Sequence, residues 1–363
     1  VGACAGLAIG GFILGCGATA NAPAQQASTQ TPTTGTSTAT TQTQAQTIAS
    51  PATTFPQFDG TKALAEVQAE CKFGVRPLGS DAHEKIKDYL IAQMKQYADK
   101  VDLQTFTYRG MTVTNIIGIF YPAGTTTPSK NPVLLLSHWD TRPIADGPNS
   151  DQDPTGFVYG SNGWNRTTPI MGADDGASST AACLELARLF KQKHPSVGVV
   201  ILLDDGEDYG DFRANGGDGE GIELGSRYFA KNYRSNPDFG HPQFGILLDM
   251  VGGDGIVIPR EMQSQRYAGD VNDNVFATAT GLGYGDVFRG DLQQDINDDH
   301  IAVNQAGIPT IDLIQPLPGF GDNTNAYKYW HTLQDTPDKV SAKSLEIVGK
   351  TVAAVLYNQT RGK

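Results

Sequence analysis

Five short apolar runs constrain this chain more than any other feature. They read "TNIIGIFYP", "PVLLLSHWD", "VGVVILLDD", "FGILLDM" and "IPTIDLI", and branched aliphatic residues dominate all of them. Runs of this kind, without apolar–polar alternation, fit strands buried on both faces. Around them stand segments with helical periodicity. In "SDAHEKIKDYLIAQMKQYAD" Ser80 reads as the N-cap, and Ile86, Leu90, Met94 and Tyr97 share a face. "GASSTAACLELARLFKQK" and "LGSRYFAKNY" follow, and the last is "SAKSLEIVGKTVAAVLYNQ", with Leu345, Val348, Val352 and Val355 in register. The alternation predicts an α/β fold: three layers, with a twisted, mostly parallel (mixed) central sheet and helices on both faces. No internal repeat is visible.

Of the 363 residues, 39% are hydrophobic, enough for a sizeable core. The first 58 residues contain no Lys, Arg, Asp or Glu and stand apart from that core. Residues 1–16 have the apolar character of an export signal, and Ile13-Leu14-Gly15-Cys16 resembles a lipobox, in which the Cys is lipidated after cleavage. The expected location is therefore the cell envelope, as a lipoprotein on its periplasmic or extracellular face, or otherwise secretion. Residues 17–55 are rich in Thr, Gln, Ser and Ala and predict a disordered tether. Residues 56–363 predict the globular domain. With a formal charge of −12 and no basic run, nucleic acid and anionic membrane are poor partners, and membrane contact is expected only through a lipid anchor at Cys16. Cys71 and Cys183 are too few for a disulfide framework; both read as core residues, with a single bridge left open.

Sheets of this class place their sites beyond the carboxyl ends of the strands. After "PVLLL" comes Ser137-His138-Trp139-Asp140, and a polar loop leads to Gly172-Ala173-Asp174-Asp175-Gly176 before a helix. "VGVVILL" runs into Asp204-Asp205-Gly206-Glu207-Asp208, "FGILL" into Asp249, and the segment after "PTIDLI" reaches Trp330-His331-Thr332. Each has a bland reading. Asp174 or Asp175 could cap the helix, and His138 alone would be a satisfied core histidine. His83, His194 and His241 read as surface residues, as does Asp211. Asp249 is harder to dismiss, because an acid in an apolar strand needs a partner. Together the acids and histidines form a mixed oxygen and nitrogen set that suits zinc; calcium is disfavoured by the imidazoles. "DVNDNV" begins like a calcium loop but lacks its glycine.

In this order the motifs resemble those of the M28 zinc-aminopeptidase superfamily: His-x-Asp, Gly-Ala-x-Asp-Gly, Glu-Asp after a strand, a strand Asp, and a late His-Thr. Within it, residues 65–360 are most similar to the glutaminyl cyclases, on "SHWDTRP", "NDDHI" and the Trp before His331. The resemblance implies a zinc-dependent catalytic domain and an acyltransferase that converts N-terminal Gln of peptides or proteins to pyroglutamate with loss of ammonia. It makes Asp175, Asp208 and His331 ligands of one zinc, Glu207 the general acid/base, and Asp249 and Asp298 its hydrogen-bonding acids. Trp330 and Trp164 are expected in the substrate pocket. His138 and Asp249 also match the second-metal ligands of the aminopeptidases, which leaves a second zinc, and aminopeptidase activity, open. Asp208 departs from the animal cyclases, which have Glu there.

Overall fold

The computed structural model describes residues 55–147, 168–212, 219–318 and 326–360. The signal segment, nearly all of the tether and Trp164 lie outside the described residues.

Six strands form the main sheet: β1 (Lys100–Tyr108), β2 (Met111–Phe120), β3 (Val133–His138), β4 (Val199–Asp204), β5 (Phe244–Asp249) and β8 (Thr310–Ile314), in the order β1-β2-β4-β3-β5-β8. β4, β3, β5 and β8 are mutually parallel, whereas β1 and β2 are an antiparallel edge. The hairpin turns through Arg109 and Gly110, with φ of 47° and 82°, the doubly left-handed turn that matches strand twist. A separate parallel pair, β6 (Ile258–Glu261) and β7 (Phe288–Gln294), lies outside this sheet.

Side-chain alternation explains the three layers. Leu135, Ile201, Ile246 and Ile311 face a core shared with α1 (Gly60–Cys71), α2 (Asp81–Tyr97), α3 (Ala177–Gln192), α5 (Met262–Gly281) and α7 (Ala342–Asn358). Their strand neighbours Leu134, Leu136, Val200, Leu202 and Leu247 face the opposite layer, with Phe229 of α4 (Leu224–Asn232) and Val303 of α6 (Asp299–Gln305). Burial on both faces is why the strands read as continuous apolar runs. Ser80 caps α2 by accepting from the His83 amide, and Ile86, Leu90 and Met94 are buried as expected. "DVNDNV" lies inside α5, away from any loop. Cys71 and Cys183 are buried free thiols.

Candidate active site

Parallel order brings the carboxyl ends of β3, β4 and β5 to one edge, so their last residues, His138, Asp204 and Asp249, arrive together. His138 Nε2 lies 3.2 Å from both Asp249 Oδ1 and Asp175 Oδ1, and its Nδ1 faces Asp140 Oδ1 at 3.5 Å and Glu207 Oε2 at 4.0 Å. From the last connection, His331 Nε2 lies 3.3 Å from Asp208 Oδ1 and 3.5 Å from Asp175 Oδ2. Asp175 therefore stands between the two imidazoles. The capping reading of Asp174 and Asp175 fails, because Gly176 occupies the N-cap of α3 and no side chain caps it.

A further set of acids holds the backbone behind these groups. Asp140 accepts from the amides of Glu207 (3.1 Å) and Asp208 (3.4 Å), fixing the residues that follow β4. Asp335 accepts from the amides of Asp174 (2.9 Å) and Asp175 (3.1 Å) and from the Tyr327 hydroxyl (2.7 Å). Asp174 accepts from the Gly252 amide (2.8 Å) and from the Gln315 side chain. Asp205 accepts from the Thr114 amide at 2.6 Å and meets His83 Nε2 at 2.7 Å. His83 is thus fully buried and stacked on Trp139, contrary to its expected surface position; burial would depress its pKa, but Asp205 holds it above the ordinary value. Asp211 is also buried, its backbone paired with Glu220, so the expectation of an exposed side chain is corrected. His194 is partly exposed and His241 exposed.

The catalytic candidates border a cavity of about 270 Å3, lined among the described residues by Asp175, Glu207, Asp249, Asp298 and His331 together with Phe212, Ile296, Asn297, Ile314, Leu317 and Trp330. It has room for one small side chain between carboxylates and apolar walls. Trp330 stacks beside His331, ring centroids 4.1 Å apart. A larger depression of about 380 Å3 near Asp254, Tyr327 and Lys339 is lined, among the described residues, by no histidine and none of the clustered ligands.

Burial first, and then the negative charges of Asp208 and Asp298, push the Glu207 carboxyl well above the usual carboxylate range. Burial likewise raises Asp298, with Asp312 and Asp249 adding to it, and raises Asp249 against the opposing pull of His138. Burial works against the charged form of His331, but Asp208 and Asp146 outweigh it and lift its pKa to about 9. These are the surroundings of a proton-transfer site.

Among the described residues, two groups of side chains offer atoms for a cation, His138 with Asp175 and Asp249, and Asp175 with Asp208 and His331, the atoms of each lying within 4.8 Å of one another. Among the described residues, Asp175 Oδ2 and Asp208 Oδ2 are buried without a hydrogen-bond partner, an arrangement that is costly unless a cation completes it. Carboxylates with imidazole are a fitting set for zinc.

Every residue named from the sequence as a ligand, acid/base or pocket wall reaches this rim, save Trp164, which lies outside the described residues. Sequence reasoning missed the apolar walls Phe212, Ile296, Ile314 and Leu317, the supporting role of Asp335, and Arg142 and Asp146, although Arg142 stands in the quoted "SHWDTRP".

Comparison with known proteins gives a family match to "Peptidase family M28" over residues 115–356. The chain is similar to the crystal structure of Bacteroides thetaiotaomicron glutaminyl cyclase bound to N-acetylhistamine, at 36% identity over 84% of this chain and 100% of that one, with a TM-score of 0.72. It is equally similar to a Zn-dependent exopeptidase from Parabacteroides distasonis, at 36% identity, the same coverages and a TM-score of 0.72. Aminopeptidase YwaD of Bacillus subtilis is 22% identical over 277 residues, which are 74% of this chain; the match spans about half, 49%, of that relative's length.

Proposed function

The chain belongs to peptidase family M28, a family of zinc-dependent enzymes, and from that premise we propose that it is a glutaminyl-peptide cyclotransferase. Its substrates would be peptides or proteins with N-terminal Gln, converted to pyroglutamate with release of ammonia. One observation carries the reading: the cavity beside Glu207 is small and walled by Trp330, Phe212, Ile296, Ile314 and Leu317, and so suits a single side chain folded back on its own amine. Its likeness to the glutaminyl cyclase of B. thetaiotaomicron supports it.

Asp175, Asp208 and His331 would hold one zinc. When bound there, the ion supplies Lewis-acid polarisation of the side-chain amide carbonyl. Glu207 takes a proton from the α-amine as nitrogen joins the amide carbon, and returns one to the departing ammonia. A carboxyl lifted by burial and by neighbouring acids is matched to both halves of that exchange. Asp249 and Asp298, buried beside Glu207 on the same cavity, are assigned to orienting it. Trp330 is assigned to the wall against the substrate's side chain, and Trp164 to the same pocket by its place in the chain.

The second reading, an aminopeptidase that hydrolyses N-terminal residues, is favoured by the His138, Asp175 and Asp249 group, which could hold a second zinc. We further propose export and anchoring through Cys16. Incubating the full chain with a Gln-initiated peptide and following mass separates the two activities. Loss of one ammonia from the intact peptide is the expected result. Release of free Gln would establish the peptidase, and no change with zinc-loaded protein would remove both.

A further inference from the structure

We propose that Arg142 and Asp146 are positioning residues that lock His331 and Asp208 into one metal-binding unit. The inference rests on the zinc assignment above and concerns residues of the β3–α3 connection outside the ligand set.

Arg142 is 2% exposed, and its guanidinium divides its donors between two acids. Nε and Nη2 meet Asp146 Oδ1 at 3.0 Å and Oδ2 at 2.8 Å, a paired fork. Nη1 donates to the Asp208 carbonyl at 3.0 Å, the Gly210 carbonyl at 2.7 Å and Asp208 Oδ1 at 3.3 Å. One cation thus fixes both backbone and side chain of Asp208.

Asp146 passes the constraint to His331. Its Oδ1 lies 3.1 Å from His331 Nδ1, on the side of the ring away from Nε2, which faces Asp208 and Asp175. An Nδ1–H donated to this carboxylate would fix the ring with Nε2 facing Asp208 and Asp175, the orientation a ligating imidazole needs. The Arg142 fork sets a full positive charge against Asp146, whose side chain is only 7% exposed.

Backbone contacts bring the two segments together. The Gly147 amide donates to the His331 carbonyl at 3.0 Å, and a β-carbon on Gly147 would lie 2.1 Å from the Trp330 carbonyl oxygen. Only glycine allows this approach, which sets Asp146 against the imidazole. His331 itself sits at φ 53°, a backbone state uncommon for a non-glycine residue and held here by that neighbouring segment. Phe212, a wall of the cavity, lies against the Arg142 guanidinium at 5.1 Å and shields it.

The test measures zinc affinity by competition with a chromophoric chelator, together with the absorption spectrum of the cobalt(II)-loaded protein, for wild type, D146A, D146N and R142K. Asp146→Ala is expected to weaken zinc binding about 10- to 100-fold and to shift the cobalt bands. Arg142→Lys keeps the charge but loses the fork, and is expected to weaken binding about tenfold. If D146A does not fold, the near-isosteric D146N decides, with a loss of about tenfold expected. Variants that match wild type in zinc affinity and cobalt spectrum, in a wild type that does bind zinc, overturn this inference alone. So does a lower metal-free melting temperature with the cobalt spectrum unchanged, the signature of a merely structural role. A wild type that takes up no zinc overturns the metal assignment beneath it, and this inference with it.

Discussion

Acids on the cavity and acids just behind it come from neighbouring connections, yet the chain treats them in opposite ways. Behind the cavity, Asp140, Asp174, Asp205 and Asp335 spend their oxygens on backbone amides and buried side chains. In the catalytic cluster, Asp175 on the cavity wall and Asp208 beside it each keep a buried oxygen without a hydrogen-bond partner among the described residues, and Glu207 is crowded by like charge. The difference teaches that one set supplies stability and spaces the backbone, while the other costs stability and is kept for chemistry.

The sharpest way to break this division is Glu207→Gln. Kinetics on a Gln-initiated peptide should show kcat reduced about a thousandfold or more. Zinc content should be unchanged, and the urea midpoint of the metal-free variant should equal or exceed that of wild type, because a crowded buried acid has been removed. A large loss of zinc or of stability would place Glu207 with the supporting acids instead.

Asp335→Ala tests the other set. It leaves the amides of Asp174 and Asp175 and the Tyr327 hydroxyl without their acceptor. Urea unfolding with chelator present should show a loss of about 3–5 kcal/mol. The comparison belongs at about pH 8, above the value of about 7 to which burial and the neighbouring Asp175 charge push this carboxyl. A change under about 1 kcal/mol would mean that the backbone amides find other partners and that the division is not energetic.

Much of the fold was legible because the parallel strands are buried on both faces and so appear as unbroken apolar runs. The elements that escaped notice lack that signature. β1 alternates between exposed and half-buried residues at the sheet edge, and α5 buries only a broken stripe that includes Asn272 and bends at Ala268. Within the site, residues that follow a strand directly could be found, since topology alone carries them to the rim. The fork of Arg142 could not, because its partners at 146, 208 and 210 meet only once the connection has folded against His331. His83 and Asp211 were misread for the same reason. Nothing in their sequence neighbours, Ala82 and Glu84 for one and Gly210 and Phe212 for the other, signals burial, and only tertiary packing buries them, His83 against Trp139 and Asp205.

Glu223 sharpens the comparison at its margin, because it is buried behind the cavity but its carboxylate is met by side chains. Its Oε1 accepts from Asn297 at 3.0 Å and its Oε2 from Arg227 at 3.1 Å, and Asn297 in turn lines the cavity. Burial raises this carboxyl, Asp299 adds to the rise and Arg227 opposes it, leaving a pKa of about 7 against the ordinary value of 4.5. The native state therefore holds a proton that the unfolded chain has released between those values. The stability linked to that proton is fully present below about pH 4.5 and is lost as pH rises through about 7, by about 3 kcal/mol. Glu223→Gln removes the titration while keeping an acceptor for Arg227. With chelator present, the variant and wild type should melt alike near the acid end of this window, and the variant should gain steadily on wild type up to about pH 8. Parallel melting curves across the range would show that Arg227 and Asn297 hold Glu223 as a carboxylate in the native state. Side-chain partners would then support an acid behind this cavity as well as backbone does.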